Sequence, residues 1–175
     1  MSGGLPGLAG GDHIGLTVPD IEAATRFFVD VIGCELVFEI GPFVADDDWM
    51  NIQLGVHPRA VVKSLRMLRC RNGPSIELFE YDLEGAGTRP PANSDVGGHH
   101  IGFYVDDIDA AVAYLKDKGV TVQGEPVTME QGPSQGLRWV YFLAPWGMQL
   151  ELVSTPNGMA VTNEFPGALW SPKQD

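Results

Sequence analysis

The sequence predicts an α+β fold made of two tandem βαβββ units, and three observations carry that prediction. First, the stretch Asp12-His13-Ile14-Gly15-Leu16-Thr17-Val18-Pro19-Asp20-Ile21-Glu22-Ala23-Ala24 recurs in the second half of the chain. There His100, Ile101, Gly102 and Val105 match His13, Ile14, Gly15 and Val18, and Asp107, Ile108 and Ala110-Ala111 match Asp20, Ile21 and Ala23-Ala24. Second, the far ends of the units agree, Ser75-Ile76-Glu77-Leu78-Phe79 resembling Gln149-Leu150-Glu151-Leu152-Val153. The chain is therefore an internal duplication. Third, in both copies a strand-like alternation of apolar with small or polar residues gives way to helical spacing.

Composition bounds what such a chain does. With 175 residues, 44% of them apolar, it is long enough for a core. A formal charge of −12 argues against nucleic acid or an anionic membrane as partner, because like charges repel. No run approaches the roughly 20 apolar residues of a membrane span. Residues 1–11 lack the basic start and apolar centre of a secretory signal and read as a lead-in, so a cytoplasmic protein is expected. Cys34 and Cys70 stand far apart without paired spacing. Two such cysteines fit buried thiols in a reducing compartment better than a disulfide.

The expected organisation is a flexible N-terminus over 1–10, a first βαβββ unit over 11–82, a linker over 83–97, a second unit over 98–154 and a tail over 155–175. In the first unit, Asp12 to Val18 reads as a strand and Pro19 to Ile32 as a helix, with proline in its first turn and Gly33 after its end. Cys34 to Ile40, Trp49 to Leu54, Ala60 to Cys70 and Ser75 to Tyr81 read as strands, separated by the turn-prone Gly41-Pro42, Gly55-Val56-His57-Pro58 and Asn72-Gly73-Pro74. In the second unit, the strand entered at His100 delivers the chain to a helix whose apolar face is Ile108, Ala111, Val112 and Leu115, stopped by Gly119. Val120 to Gln123 is a short strand, Glu125 to Gln135 a loop, and Leu137 to Leu143 and Met148 to Ser154 the last strands. The tail carries Phe165, Leu169 and Trp170 without periodicity and is expected to lie across the body.

Side chains alternate between the two faces of a strand. Ile14, Leu16 and Val18 share one face, leaving His13, Gly15 and Thr17 on the other, and Ile101, Phe103 and Val105 oppose His100, Gly102 and Tyr104 in the same way. Ile76 and Leu78 oppose Glu77, and Leu150 and Leu152 oppose Glu151. If the apolar faces pack on the helices, two histidines and two glutamates occupy the opposite faces, one of each from each unit. Two imidazoles and two carboxylates suit a divalent metal ion and leave two octahedral positions for neighbouring oxygens of a substrate.

A repeated strand-helix-three-strand unit with His13, Glu77, His100 and Glu151 at matching positions, and with the phrases His100-Ile101-Gly102 and Leu150-Glu151-Leu152-Val153, resembles the vicinal oxygen chelate superfamily. Glyoxalase I, methylmalonyl-CoA epimerase, fosfomycin-resistance proteins and extradiol dioxygenases belong to it. The resemblance runs from Gly11 to Ser154. It implies that the two sheets curl into a half-open mixed β-barrel with helices packed outside. It further implies one divalent metal ion (Ni, Co, Mn, Zn, Fe or Mg) held by His13, Glu77, His100 and Glu151. The reaction implied is that of a lyase or isomerase, with Glu77 or Glu151 moving a proton beside the carbonyl of a small substrate chelated through vicinal oxygens.

A glutamate at Glu77 fits the four-ligand glyoxalase and epimerase branch, since the dioxygenases are similar but bind iron through two histidines and one carboxylate. Methylmalonyl-CoA epimerases place a further glutamate upstream of a Gln-Gly-Val-like segment, and the comparable stretch Trp49 to Val56 has none. An Fe(II)-dependent extradiol dioxygenase and a non-catalytic binding or resistance protein are the rival readings, and the full ligand set argues against the second. The family resemblance also implies a homodimer.

Other polar residues read as structural. His99 points away from His100, His57 sits in a turn before Pro58, Glu80 faces away from Glu77 toward solvent, and Asp46 to Asp48 form a wet loop. Lys63, Arg66, Arg69 and Arg71 read as a solvated basic strand face that could also anchor an acidic group of a substrate. Phe79, Tyr104, Trp139 and Tyr141 read as core or pocket wall, and Trp49 and Trp146 lie at turns.

Overall fold

In the computed structural model, which describes residues 4–45 and 48–173, the chain divides between Gly85 and Ala86 into two units. The fold is α+β, and each unit holds one mixed four-stranded sheet. Among the described residues no helix is long and apolar enough to cross a membrane.

The first unit contains β1 (His13–Thr17), α1 (Ile21–Arg26), β2 (Glu35–Ile40), α2 (Trp49–Leu54), β3 (Val61–Arg69) and β4 (Ser75–Asp82), with sheet order β1-β4-β3-β2. β1 runs parallel to β4 with Gly15 opposite Glu77, and the other pairings are antiparallel. The Asp20 side chain accepts from the Ala23 amide at 2.8 Å and starts α1. The helix continues with π-type winding from Phe27 to Ile32 and stops at Gly33, whose φ of 87° suits glycine. Leu16, Val18, Ile21, Ala24, Phe28, Ile76 and Leu78 are buried in this unit, so the apolar faces of β1 and β4 are core faces, as the alternation predicts, whereas β2 is exposed along its length.

Four expectations for this unit need correction. Trp49–Leu54 is a helix rather than a strand. Met50 and Leu54 lie one turn apart, and both join a cluster with Ala60, Val62 and Leu65, whereas Ile52 is 71% exposed. The segment is amphipathic with helical period, too short to show it from sequence. Gly55, at φ 66°, closes it by donating its amide to the Asn51 carbonyl.

Cys34 and Cys70 form a disulfide rather than two free thiols. Glu35 pairs with Arg69 in the antiparallel β2–β3 ladder, so the next residues out, Cys34 and Cys70, come to a Cα–Cα distance of 4.3 Å. Of the basic residues, Lys63, Arg69 and Arg71 are exposed, as expected, but Arg66 is not. Arg66 is buried, donates to Thr25 Oγ1 at 3.0 Å, and pairs with Glu22 and Glu39. Glu80 does not face solvent: one carboxylate oxygen accepts from the Ile21 amide at 2.9 Å and the other meets Lys63. It supplements Asp20 at the start of α1. Asp46 and Asp47 lie outside the described residues, and Asp48 immediately precedes α2.

The second unit contains β5 (Ile101–Tyr104), α3 (Ile108–Asp117), β6 (Val122–Thr128), β7 (Arg138–Leu143), β8 (Gln149–Ser154) and α4 (Ala160–Glu164), in the matching sheet order β5-β8-β7-β6. Asp107 caps α3, accepting from the amides of Asp109 and Ala110 at 3.1 and 3.0 Å. Ile108, Val112 and Leu115 are buried, as are Val140, Phe142, Leu150 and Leu152 on the strands.

Two corrections apply here. β6 extends through Thr128, although Gly124 and Pro126 make 125–128 read as loop; the register shifts between Gln123 and Val127 to absorb them. The tail touches its unit, but its large apolar residues stay exposed: Phe165 at 57%, Leu169 at 48% and Trp170 at 65%. What holds it is polar. The Ala160 and Val161 amides donate to the carbonyls of Gln135 and Pro133, and Lys173 pairs with Asp106 and lies over the Tyr104 ring at 4.9 Å.

Candidate metal centre

In the first unit β1 and β4 run side by side, and their register brings two chemical groups onto one sheet face. His13 Nε2 stands 3.4 Å from Glu77 Oε2. Its other ring nitrogen, Nδ1, lies 2.7 Å from Asp12 Oδ1. An acceptor at Nδ1 favours the tautomer that keeps the Nδ1 proton and leaves the Nε2 lone pair facing the glutamate. The hydrogen bond that His13 donates to Asp12 and the charge of Glu77 raise the His13 pKa above the ordinary histidine value.

The second unit repeats the arrangement. His100 Nε2 stands 3.5 Å from Glu151 Oε2, and His100 Nδ1 lies 3.3 Å from Asn93 Oδ1. Asn93 belongs to the tight turn after Ala92, where Asp95 accepts from the Ala92 amide at 3.0 Å. A Cβ at Gly98 would collide with the Ala92 carbonyl oxygen, so this turn demands glycine there. Burial pushes the Glu151 carboxyl up, because a partly desolvated carboxylate prefers its neutral form; His100 opposes this more weakly.

Both His–Glu separations exceed an ordinary hydrogen bond. The two groups of each pair lie side by side, as they would if both addressed a third atom. A glycine fronts each glutamate. A Cβ at Gly15 would stand 3.8 Å from Glu77 Oε2, and one at Gly102 would stand 3.3 Å from Glu151 Oε2. Space next to each carboxylate is therefore kept open by the smallest residue. The glutamates are shielded, with side-chain exposures of 18% and 16%, and the histidines are more open at 43% and 33%.

Each unit thus offers one imidazole nitrogen and one carboxylate oxygen, donors suited to a divalent first-row ion. Among the described residues no three or more His, Cys, Asp or Glu side chains are gathered closely enough to hold a metal ion. Asp12 and Asn93 escape the sequence reading as functional residues. Asp12 left a signal, a carboxylate directly before the first histidine. Asn93 left none, because its approach to His100 depends on a turn closed by Gly98.

The walls differ between units. Phe79 and Tyr81 stack at 5.6 Å in the first, and the Met50 cluster of α2 packs against them. In the second, Tyr141 meets the His100 ring edge at 5.1 Å and Trp139 meets Tyr141 at 5.2 Å. Of the remaining candidates, His99 bonds the Gly97 carbonyl and His57 accepts from the Arg59 amide, so both serve local turns.

The duplicated sheet and its His–Glu pairs define a class. The family model for the glyoxalase/bleomycin resistance protein/dioxygenase superfamily matches residues 12–142, and the chain belongs to that superfamily. A 2-epi-5-epi-valiolone epimerase from an Actinomyces species is 42% identical over 171 residues, covering 97% of this chain and 92% of that protein. An uncharacterised protein of Escherichia coli is 30% identical, with 80% of this chain and 92% of that one covered. Among solved structures, a glyoxalase family protein from Bacillus cereus superposes with a TM-score of 0.64 at 24% identity, covering 88% of this chain and 97% of that one. A fosfomycin resistance protein from Listeria monocytogenes superposes at 0.55 with 18% identity, covering 84% and 93%. These two likenesses concern the fold.

Proposed function

We propose that the protein is a metal-dependent isomerase, and that His13, Glu77, His100 and Glu151 together hold one divalent ion. The observation that carries the reading is the repetition of the pair, with Gly15 opposite Glu77 and Gly102 opposite Glu151 in equivalent parallel ladders. The residues present fit an ion: two Nε2 atoms left bare by partners at Nδ1, two shielded carboxylates, and a glycine kept beside each carboxylate. Such an ion supplies polarisation of a chelated carbonyl, which acidifies the neighbouring C–H.

The chain's own residues do the rest. His13 and His100 are neutral ligands whose rings Asp12 and Asn93 orient. Glu77 or Glu151 takes the proton from the carbon beside the carbonyl and returns it, and return to the opposite face inverts that centre. The 42% identical epimerase supports isomerisation over lysis and suggests a cyclic polyhydroxylated ketone as substrate.

The test uses protein loaded with Mn(II), Co(II), Ni(II) or Zn(II) in D2O with 2-epi-5-epi-valiolone. Deuterium entering the carbon beside the carbonyl, together with the epimer, is expected by NMR. Consumption of dioxygen with a catechol would replace this reading by an oxygenase one. Metal analysis of Glu77→Ala and Glu151→Ala checks the ligand set, and an unchanged metal content would remove it.

A further inference from the structure

The isomerase reading leaves open how the ketone is selected, and the register of the second sheet bears on this. Directly paired residues share a sheet face. The row through Glu151 therefore runs Gly102, Glu151, Tyr141, Gln123 across β5, β8, β7 and β6. Gln149, two residues before Glu151 on β8, lies on the same face one row away, and its Nε2 donates to Gln123 Oε1 at 3.1 Å. The His100 ring, against Tyr141, adjoins this row.

The equivalent row of the first unit reads Gly15, Glu77, Met67, Phe38 across β1, β4, β3 and β2. Beyond the glutamate it is apolar. Duplication thus retained the His–Glu pair and diverged in its neighbours, a thioether and a phenyl ring in one unit, a phenol and two amides in the other. A phenol hydroxyl and two carboxamides both donate and accept, which matches the hydroxyl groups of a polyol. The amide donors of Gln123 and the carbonyl oxygen of Gln149 are not used in the bond between them.

Resting on the isomerase reading, we propose that Tyr141, Gln123 and Gln149 are specificity-determining residues that hydrogen-bond the hydroxyls of a polyhydroxylated cyclic ketone next to its chelated oxygens. A site that bonds hydroxyls binds an analogue lacking them less well, because the bonds made to the polyol are not replaced by the analogue.

The experiment compares kcat/KM for deuterium exchange into 2-epi-5-epi-valiolone and into 2-hydroxycyclohexanone, which keeps two neighbouring oxygens and lacks the further hydroxyls. The metal-loaded protein is expected to prefer the polyol by at least about a hundredfold. Tyr141→Phe and Gln149→Leu are each expected to lower that preference about tenfold, chiefly through KM for the polyol, with metal content retained. Equal rates on both ketones, or a preference that stays within about twofold in both variants, would overturn the assignment. A protein that exchanges 2-hydroxycyclohexanone but shows no polyol preference refutes only the specificity row. One that exchanges neither ketone refutes the isomerase reading, and this inference with it. As a second readout, the side-chain amide resonances of Gln123 and Gln149 are expected to shift when myo-inositol, a hydroxylated ring without a ketone, is titrated into the protein. Their failure to move would also count against it.

Discussion

Replacing Gly102 and Gly15 by alanine separates the two glutamates by a measurable amount. Neither glycine has a positive φ, so alanine is conformationally admissible at both. On backbone grounds alone each substitution stabilises by about 0.4–1 kcal/mol, through the less flexible unfolded chain. Their effects on the carboxylates differ. The new Cβ at position 15 stands 3.8 Å from Glu77 Oε2, an ordinary contact, and that at position 102 stands 3.3 Å from Glu151 Oε2, so that carboxylate must give by a few tenths of an ångström. Ligand geometry around a bound ion tolerates only about 0.2 Å. Disturbing what orients a ligand typically costs about 10- to 100-fold in metal affinity. Gly102→Ala is therefore expected to weaken Mn(II) or Ni(II) binding about tenfold, and Gly15→Ala by less than about threefold. Isothermal titration gives the affinities, and thermal unfolding of the metal-free variants shows whether both remain folded. Equal losses in the two variants, or none in Gly102→Ala, would refute the placement of Glu151 as a ligand crowded from the Gly102 side.

Three further outcomes follow from the same contacts. Asp12→Asn is expected to bring the raised His13 pKa back toward its ordinary value, read by NMR in metal-free protein. Because that pKa is raised on folding, the protonated ring stabilises the metal-free fold at low pH. That contribution fades as pH climbs through the folded pKa, so metal binding, which displaces the proton, strengthens over the same range.

Glu22 and Glu39 are held below the usual carboxylate range, first by hydrogen bonds from Arg66. Their contribution to stability is present above the unfolded value of 4.5 and is lost as pH falls through the depressed pKa values. Arg66→Met is expected to flatten this part of the acid-unfolding curve, and an unaltered curve would contradict it. Removing the disulfide by the double change Cys34→Ala and Cys70→Ala opens a sequence separation of 36. Loop-closure entropy then puts the loss at about 4 kcal/mol in urea unfolding, and a loss under about 1 kcal/mol would mean that the crosslink constrains the unfolded chain little.

Much of this protein is written in contiguous residues. Period and duplication are local properties, so β1, β5, α3 and the faces of β4 and β8 can be read before any coordinate is known. The pairing of His13 with Glu77, and of His100 with Glu151, follows from two alternations in parallel strands once the repeat is recognised. Short elements with mixed signals escape such reading. α2 has six residues, fewer than two helical turns, and only the Met50 cluster shows which side is buried. β6 contains a glycine and a proline, which imitate a loop until β7 supplies its partner.

The sequence by itself determined that there are two copies of one unit and that each aims an imidazole and a carboxylate at the same sheet face. Only the tertiary structure decided the rest: that Cys34 meets Cys70, that Arg66 is buried among Glu22, Thr25 and Glu39, that Glu80 caps a helix, and that Asn93 steadies His100. The physical reason is range. Period and charge pattern belong to neighbouring residues, whereas these contacts join groups whose proximity arises from strand register and tight turns. Several partners for each are equally compatible with the linear chain, and folding selects one.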